Sequence, residues 1–544
     1  MKPIRSLLLL IAFASTGAHA EPFITVTTRN LDVLLDGSAK IANALELGKG
    51  DEFKEKFLDE SGNPDLIGVD KKRAWHFAAF RPADGSSIHR IWQATYVPVT
   101  DFKEFRGALQ EGKQFTGARN LNIIRKSGGY AVVITRYNKE TRLDAEDRKR
   151  ILQWAKSAPT DPKHDFTGNF VMDEQSRRMA ILGVTFAKSM VGQQLAPEAI
   201  RKNSQAPTPP PGAVDMLNVY FDLGLMIVKG ADKITLNLDV KDDVLILRDR
   251  VTALPDSQLS KLLRPARSDI GLLTQYIAAD TPLAFVGHMT GDSYLRKLLT
   301  RAMTASNKMT GTELDDGIVK QTEKLMDAML PMSFAVAIDW GERIGATGIY
   351  QFADANAPAI HDQLMAFTEE YMKQQAGEGG VYSQFEAKRS VPTVDGMGID
   401  RLTLKLNRDN PIFSKQDRKT ISRIWPDNEL RFEYASKGRR FFYSMGLPVE
   451  RAATPAKNPA DLAVNADHNT VLLGRINPIS IIHRSLAMRR KRSKYTQRML
   501  VILDPEGAGV DVRVNLDGGI DGIASVPLKM LRELGKMLNS GSSE

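Results

Sequence analysis

"ITLNLDVKDDVLILRDRVTALPDSQLSKLL" (234–263) reads as strand alternation around a turn, closed by a helix with apolar residues at three-to-four spacing. "VRVNLDGGIDGIASVPLKMLRELGKML" (512–538) repeats that plan, down to the Asn-Leu-Asp at Asn237–Asp239 and Asn515–Asp517. A plan that recurs in one chain points to duplication, so the rest of the sequence is searched for the same order.

Five further blocks pair in order. "FITVTTRNLDVLLDGSAKIANAL" (23–45) matches "PLAFVGHMTGDSYLRKLLTRAM" (282–303), each an extended segment running into an amphipathic helix. "RAWHFAAF" (73–80) matches "MSFAVAIDW" (332–340), both strand-like. "QATYVPVTDFKEFRGAL" (93–109) matches "ATGIYQFADANAPAIHDQLMAF" (346–367): strand, polar turn, helix. "GGYAVVITRY" (128–137) pairs with "GRRFFYSMGL" (438–447), and "MAILGVTFA" (179–187) with "TVLLGRINP" (470–478). The likeness of "EDRKRIL" (146–152) to "QDRKTIS" (416–422) breaks the order and is not counted. Many short strands split by single helices predict an α+β fold: two tandem pseudo-repeats, each mainly antiparallel sheet with helices packed on one face. The first spans 21–265 and the second 281–544, with the boundary in "RPARSDIGLLTQYIAAD" (264–280). "KNSQAPTPPPGAVD" (202–215) is a proline-rich linker inside the first, while "QAGEGGV" (375–381) reads as a loop tip and "RAATPAKNPAD" (451–461) as another linker.

Four segments carry a resemblance: "ITV…LD-x-LL" over Ile24–Leu35, "GVDKKR" over Gly68–Arg73, "PVTDFKEF" over Pro98–Phe105 and "LNLDV…DSQL" over Leu236–Leu259. In these the chain resembles a functionally uncharacterised family of exported bacterial hypothetical proteins with a duplicated α+β unit. The resemblance implies export and the repeated architecture, and it carries over no catalytic residue.

The N-terminus gives the same address. Lys2 and Arg5 precede an apolar run, and Ala18-His19-Ala20 fits a signal-peptidase site, so residues 1–20 read as a signal peptide and the mature chain starts at Glu21. No other run reaches the roughly 18–20 apolar residues of a membrane span. The expectation is a soluble periplasmic or secreted protein. It contains no cysteine, which removes disulfides, thiolate metal sites and a lipidated cysteine.

Charge is local. The formal net charge is +9; without Lys2 and Arg5 it falls by two, and residues 484–498 alone supply all of the remainder. That run holds Arg484, Arg489, Arg490, Lys491, Arg492, Lys494 and Arg498 with no acid, a candidate contact for a polyanion or membrane surface. Export disfavours nucleic acid as the partner. As a helix the run would be cationic all round, and the repeat sets it opposite the 202–215 linker, which favours a solvated connector.

Motifs for chemistry are missing. His76, His89, His164, His288, His361, His468 and His483 never pair at i, i+4, and HExxH, G-x-S-x-G and S-x-x-K do not occur. "GERIGATG" (341–348) lacks the phosphate-loop order and reads as a turn between strands. "NLDGGIDG" (515–522) has glycines where a calcium loop needs oxygens, so it reads as a hairpin turn. No metal or cofactor is expected, and catalytic residues stay unassigned. The favoured reading is a non-enzymatic envelope binding or scaffold module, its partner an envelope protein or polyanionic surface. The alternatives are an exported hydrolase with a site of non-local residues and a carrier of lipid or another apolar ligand.

Overall fold

A computed structural model describes residues 21–540 apart from 46–49, 83–90, 117–121, 136–141, 195–211, 265–267, 269, 310–315, 341–343, 354–356, 377–380, 393–396, 463–465, 489–492 and most of 411–426. The chain is α+β and forms two compact units: 21–185 with 225–263 and 518–540, and 186–224 with 264–517. Residues 1–20, expected from the sequence to be a signal peptide, lie outside the described residues.

In the first unit the chain runs β1 (Ile24–Thr28), α1 (Leu31–Ala44), α2 (Gly50–Ser61), β2 (Trp75–Phe80), β3 (Trp92–Pro98), α3 (Phe102–Ala108), β4 (Asn122–Ser127) and β5 (Tyr130–Thr135). It continues through α4 (Ala145–Ser157), β6 (Phe166–Val171), α5 (Glu174–Gln194), α6 (Ala213–Gly230), β7 (Ala231–Lys241), β8 (Val244–Ala253) and α7 (Gln258–Leu262). The division between the units falls inside α5 and α6. The sheet order is β4-β5-β3-β2-β1-β6-β7-β8, extended by β18 (Gly519–Pro527), and every neighbour is antiparallel.

Caps fix the helix starts. Asn30 accepts from the Val33 amide at 2.8 Å, Asp101 from Lys103 and Glu104, and Asp144 from Asp147. Gly68 has φ +69° and a Cβ there would meet the Asp101 carbonyl at 2.5 Å, so the "GVDKKR" segment needs glycine to reach the start of α3.

Helices cover both faces of this sheet, a correction to the one-face expectation. Leu31 and Leu35 of α1 and Phe105 of α3 pack with Trp75, Val97, Ala131 and Val133. On the other face Ile151 and Ala155 of α4 pack with Phe80, Trp92, Ala94, Tyr96, Tyr130, Val132 and Ile134. The cause lies in β5: "YAVVIT" is apolar at successive positions, and five of its six residues are buried, so both pleat faces demand cover. Burying a side chain as large as Tyr130 or Phe80 contributes roughly 2–3 kcal/mol.

The second unit runs from a 3-10 turn (Ile270–Tyr276) through β9 (Leu283–Met289), α8 (Ser293–Met309), α9 (Asp316–Met329), β10 (Met332–Trp340), β11 (Ile344–Phe352) and α10 (Ala357–Gln375). Then follow β12 (Tyr382–Pro392), β13 (Gly398–Leu406), β14 (Glu429–Lys437), β15 (Arg440–Met445), α11 (Glu450–Ala453) and β16 (Thr470–Ile476). Last come α12 (Pro478–Ala487), α13 (Lys494–Ile502) and β17 (Val510–Leu516); β18 and α14 (Leu528–Ser540) belong to the first unit. Its sheet order is β12-β13-β14-β15-β11-β10-β9-β16-β17, again antiparallel throughout.

Three local expectations are corrected. Residues 179–187 lie in α5 and are helical, whereas 470–476 form β16; an apolar run of that length fits either state until its neighbours decide. Residues 451–461 are no free linker: Ala452 and Ala460 enter the same core as Ile270, Leu273 and Ile277. In "GERIGATG" only 341–343 separates β10 from β11; Gly345 and Gly348 are strand residues lying against Leu447 and Tyr443. In "NLDGGIDG" Asp517 and Gly518 form the bend between β17 and β18, with Gly518 at φ +64°.

Candidate functional site

Of the seven cations in the basic run the structure describes three. Arg489, Arg490, Lys491 and Arg492 fall between α12 and α13, outside the described residues. Lys494 and Arg498 are exposed on α13, one turn apart, with Val501 a further turn on and 84% exposed. Arg484 is committed elsewhere: its guanidinium donates to Asp339 Oδ1 at 2.8 Å and to the Asp280 carbonyl at 3.1 Å.

Arg484 thereby walls a cleft of about 1030 Å³ in the second unit. The cleft lies where β9 begins and β10 and β16 end, so strand register gathers its residues. Leu283 pairs with Ile338 on one side and Ile476 on the other. One residue past β16, Asn477 caps α12 by accepting from the Ser480 amide at 2.9 Å, while its own amide donates to the Pro505 carbonyl at 2.8 Å. Pro478 follows at the first helical position. That turn presents Ser480 and Arg484 to the cleft, opposite Asp339 of β10 and Arg451 of α11. Ala278, Ala279, Ala337, Leu447 and Pro455 supply apolar wall.

The electrostatics are uneven. Arg475 is saturated, with Nε and Nη2 donating to the two oxygens of Asp511 at 2.7 and 2.9 Å. Asp339 is shared, since Arg451 also approaches it at 3.7 Å. Asp280 and Glu506 line the cleft as well, Asp280 at 3.7 Å from Arg484, so its wall carries charges of both signs beside Lys457 and the two partly exposed guanidiniums. Among the described residues no histidine lines it. Among the described residues no three His, Asp or Glu side chains gather as a metal site.

A Ser/His/Asp grouping lies elsewhere. His361 Nδ1 is 3.1 Å from Ser436 Oγ, and its Nε2 is 3.4 Å from Asp400 Oδ2. Asp400 is already held by Arg389 Nη1 and the Ser390 amide, each at 2.8 Å. His361 is 7% exposed against the Phe441 ring, and burial holds its pKa below the usual histidine value. None of the three residues lines the cleft. The grouping fastens α10 to β13 and β14. His76 is likewise structural, wedged between Thr27 Oγ1 at 2.9 Å and the Tyr130 hydroxyl at 3.2 Å.

Sequence reading missed the cleft because its walls come from 276–281, from Ala337, Asp339 and Thr347, and from 447–458, 475–484 and 505–507. One signal was available: "GRINP" (474–478) sets an arginine two residues before an Asn-Pro helix start. Comparison with known proteins gives no match, whether to a family model, a curated protein or a solved structure.

Proposed function

We propose that the chain is an exported, non-enzymatic envelope protein that binds a ligand in the second unit's cleft, on a scaffold made of two copies of one α+β unit. The cleft carries the functional part. It is the size of a small-molecule site, about 1030 Å³, with apolar wall and a few fixed polar groups. The hydrolase alternative has only the buried His361 grouping behind it, and a carrier of a wholly apolar ligand would not place Asp339, Arg451 and Arg484 in its wall.

The duplicated scaffold rests on element order. Taken in chain order, β1 to β7 and β9, β10, β11, β14 to β17 occupy matching places in the two sheets. Intervening helices match too: two after β1 and β9, one after β3 and β11, one after β5 and β15, two after β6 and β16. The hairpin β12–β13 is then an insertion in the second copy. On this alignment β16 corresponds to β6, and α12 and α13, which hold Arg484, Lys494 and Arg498, correspond to α5 and α6. Export rests on the signal features of residues 1–20 and on the family resemblance. Among the described residues no helix is long and apolar enough to cross a membrane.

Native mass spectrometry of the mature chain incubated with envelope extract tests the binding. A bound small molecule retained by the parent and lost in Ala279→Trp and Ala456→Trp is expected. Retention by both cleft-filled variants would sink the assignment.

A further inference from the structure

A second cavity of about 780 Å³ adjoins the cleft, the two sharing Tyr276. Its remaining walls are Gln351, Met397, Lys437, Arg439, Arg440, Phe442 and Ala453. Three cations line it, and among the described residues no carboxylate does. Elsewhere in this unit Arg389, Arg401, Arg431, Arg451, Arg475 and Arg484 have carboxylate partners.

The cations differ in role. Arg440 is fixed: Nη1 donates to the Tyr276 hydroxyl at 2.5 Å, Nε to Gln351 Oε1 at 3.2 Å, and the guanidinium lies 5.5 Å from the Tyr276 ring centroid. Neither bond neutralises its charge, and Nη2 is left unengaged by them. Lys437 and Arg439 flank the β14–β15 turn, where Gly438 takes φ +62°, and both are exposed. A bare hairpin tip would wave two solvated cations. Here they border a cavity around a third, half-buried cation held at a set angle by neutral partners. Planar guanidinium donors with a lysine beside them match a phosphate's several oxygens.

We propose that this smaller cavity is an anion subsite for a phosphate-bearing ligand. Lys437, Arg439 and Arg440 contact its phosphate, and its body passes Tyr276 into the larger cleft. Only the seat of the body rests on the reading of that cleft.

The test is isothermal titration of the mature chain with inorganic pyrophosphate, and flotation with vesicles containing phosphatidylglycerol against phosphatidylcholine alone. The expected result is pyrophosphate binding weakened at least tenfold in Lys437→Ser/Arg439→Ser, with unchanged melting temperature and circular dichroism. Arg440→Gln, which keeps a donor toward Tyr276, should weaken it similarly. Vesicle binding that depends on phosphatidylglycerol and on these residues would make the source a lipid headgroup; pyrophosphate binding alone would make it a free phosphate compound. No binding of either probe, or equal binding by parent and double variant, would overturn the subsite. Ala279→Trp separates the two readings: pyrophosphate binding should survive it, since that residue does not line the smaller cavity.

Discussion

Acid should unfold the first unit partly through one histidine. His76 is 2% exposed, and burial foremost, then the charge of Arg73, pushes its pKa down to about 4 from 6.5. Its ring centroid lies 5.5 Å from those of both Tyr130 and Trp154, whose apolar faces and edges surround the imidazole. A histidine with a lowered folded pKa binds fewer protons when folded. Its contribution is therefore complete above about pH 6.5 and is lost as pH falls toward 4. At 1.36 kcal/mol per pH unit, the loss between pH 6.5 and 4.5 is about 2 kcal/mol. Carboxylates titrate in the same window, so the measurement is a difference: urea unfolding across that range for the parent and for His76→Gln, which cannot charge. The variant starts less stable and should lose about 2 kcal/mol less on acidification. Equal pH dependence in the two proteins, or an imidazole pKa above 6 by carbon-13 NMR of labelled histidine, would refute the reasoning.

Other consequences are as direct. Asp339→Asn removes the carboxylate shared by Arg484 and Arg451, so it should tighten binding of an anionic cleft ligand severalfold while costing under about 1 kcal/mol, because both guanidiniums stay partly solvated. Calorimetry and melting check the two effects. Glu433 is 1% exposed; burial opposes its charge, but bonds from the Val449 amide, Arg431 and Arg401 outweigh that and hold its pKa down. Its stabilisation is present above the usual carboxylate pKa and lost as pH falls below it, so Glu433→Gln should cost about 2–3 kcal/mol near neutrality and much less in acid, by urea unfolding. A Cβ at Gly348 would run into the Tyr443 ring. Gly348→Ala should cost about 1–3 kcal/mol, with part recovered in Gly348→Ala/Tyr443→Leu by thermal melting.

Alternation and turn chemistry made much of this fold readable. The strand-turn-strand-helix reading of 234–263 is present as β7, β8 and α7, with Asp242 at φ +51° in the turn. What misled was burial on two sides. "YAVVIT" is continuous because a helix lies over each face, and that run alone says the sheet is sandwiched. "RAATPAKNPAD" reads as a linker by its Pro and Ala content, yet it begins within α11, and its small Ala452 and Ala460 pack into the core. The cleft was illegible because proximity of Asp339, Arg451 and Arg484 follows from strand register, which no local window contains. The basic run drew attention by density, whereas Lys437, Arg439 and Arg440 are only three cations in a hairpin until Tyr276 and Gln351 are set beside them.

The most direct test of the binding site is hydrogen exchange on the mature chain with and without the small-molecule fraction of envelope extract. Slowed exchange should be confined to 276–281, 454–458 and the start of α12, and should vanish in Ala279→Trp. Protection centred elsewhere, or none, would contradict a ligand in the cleft.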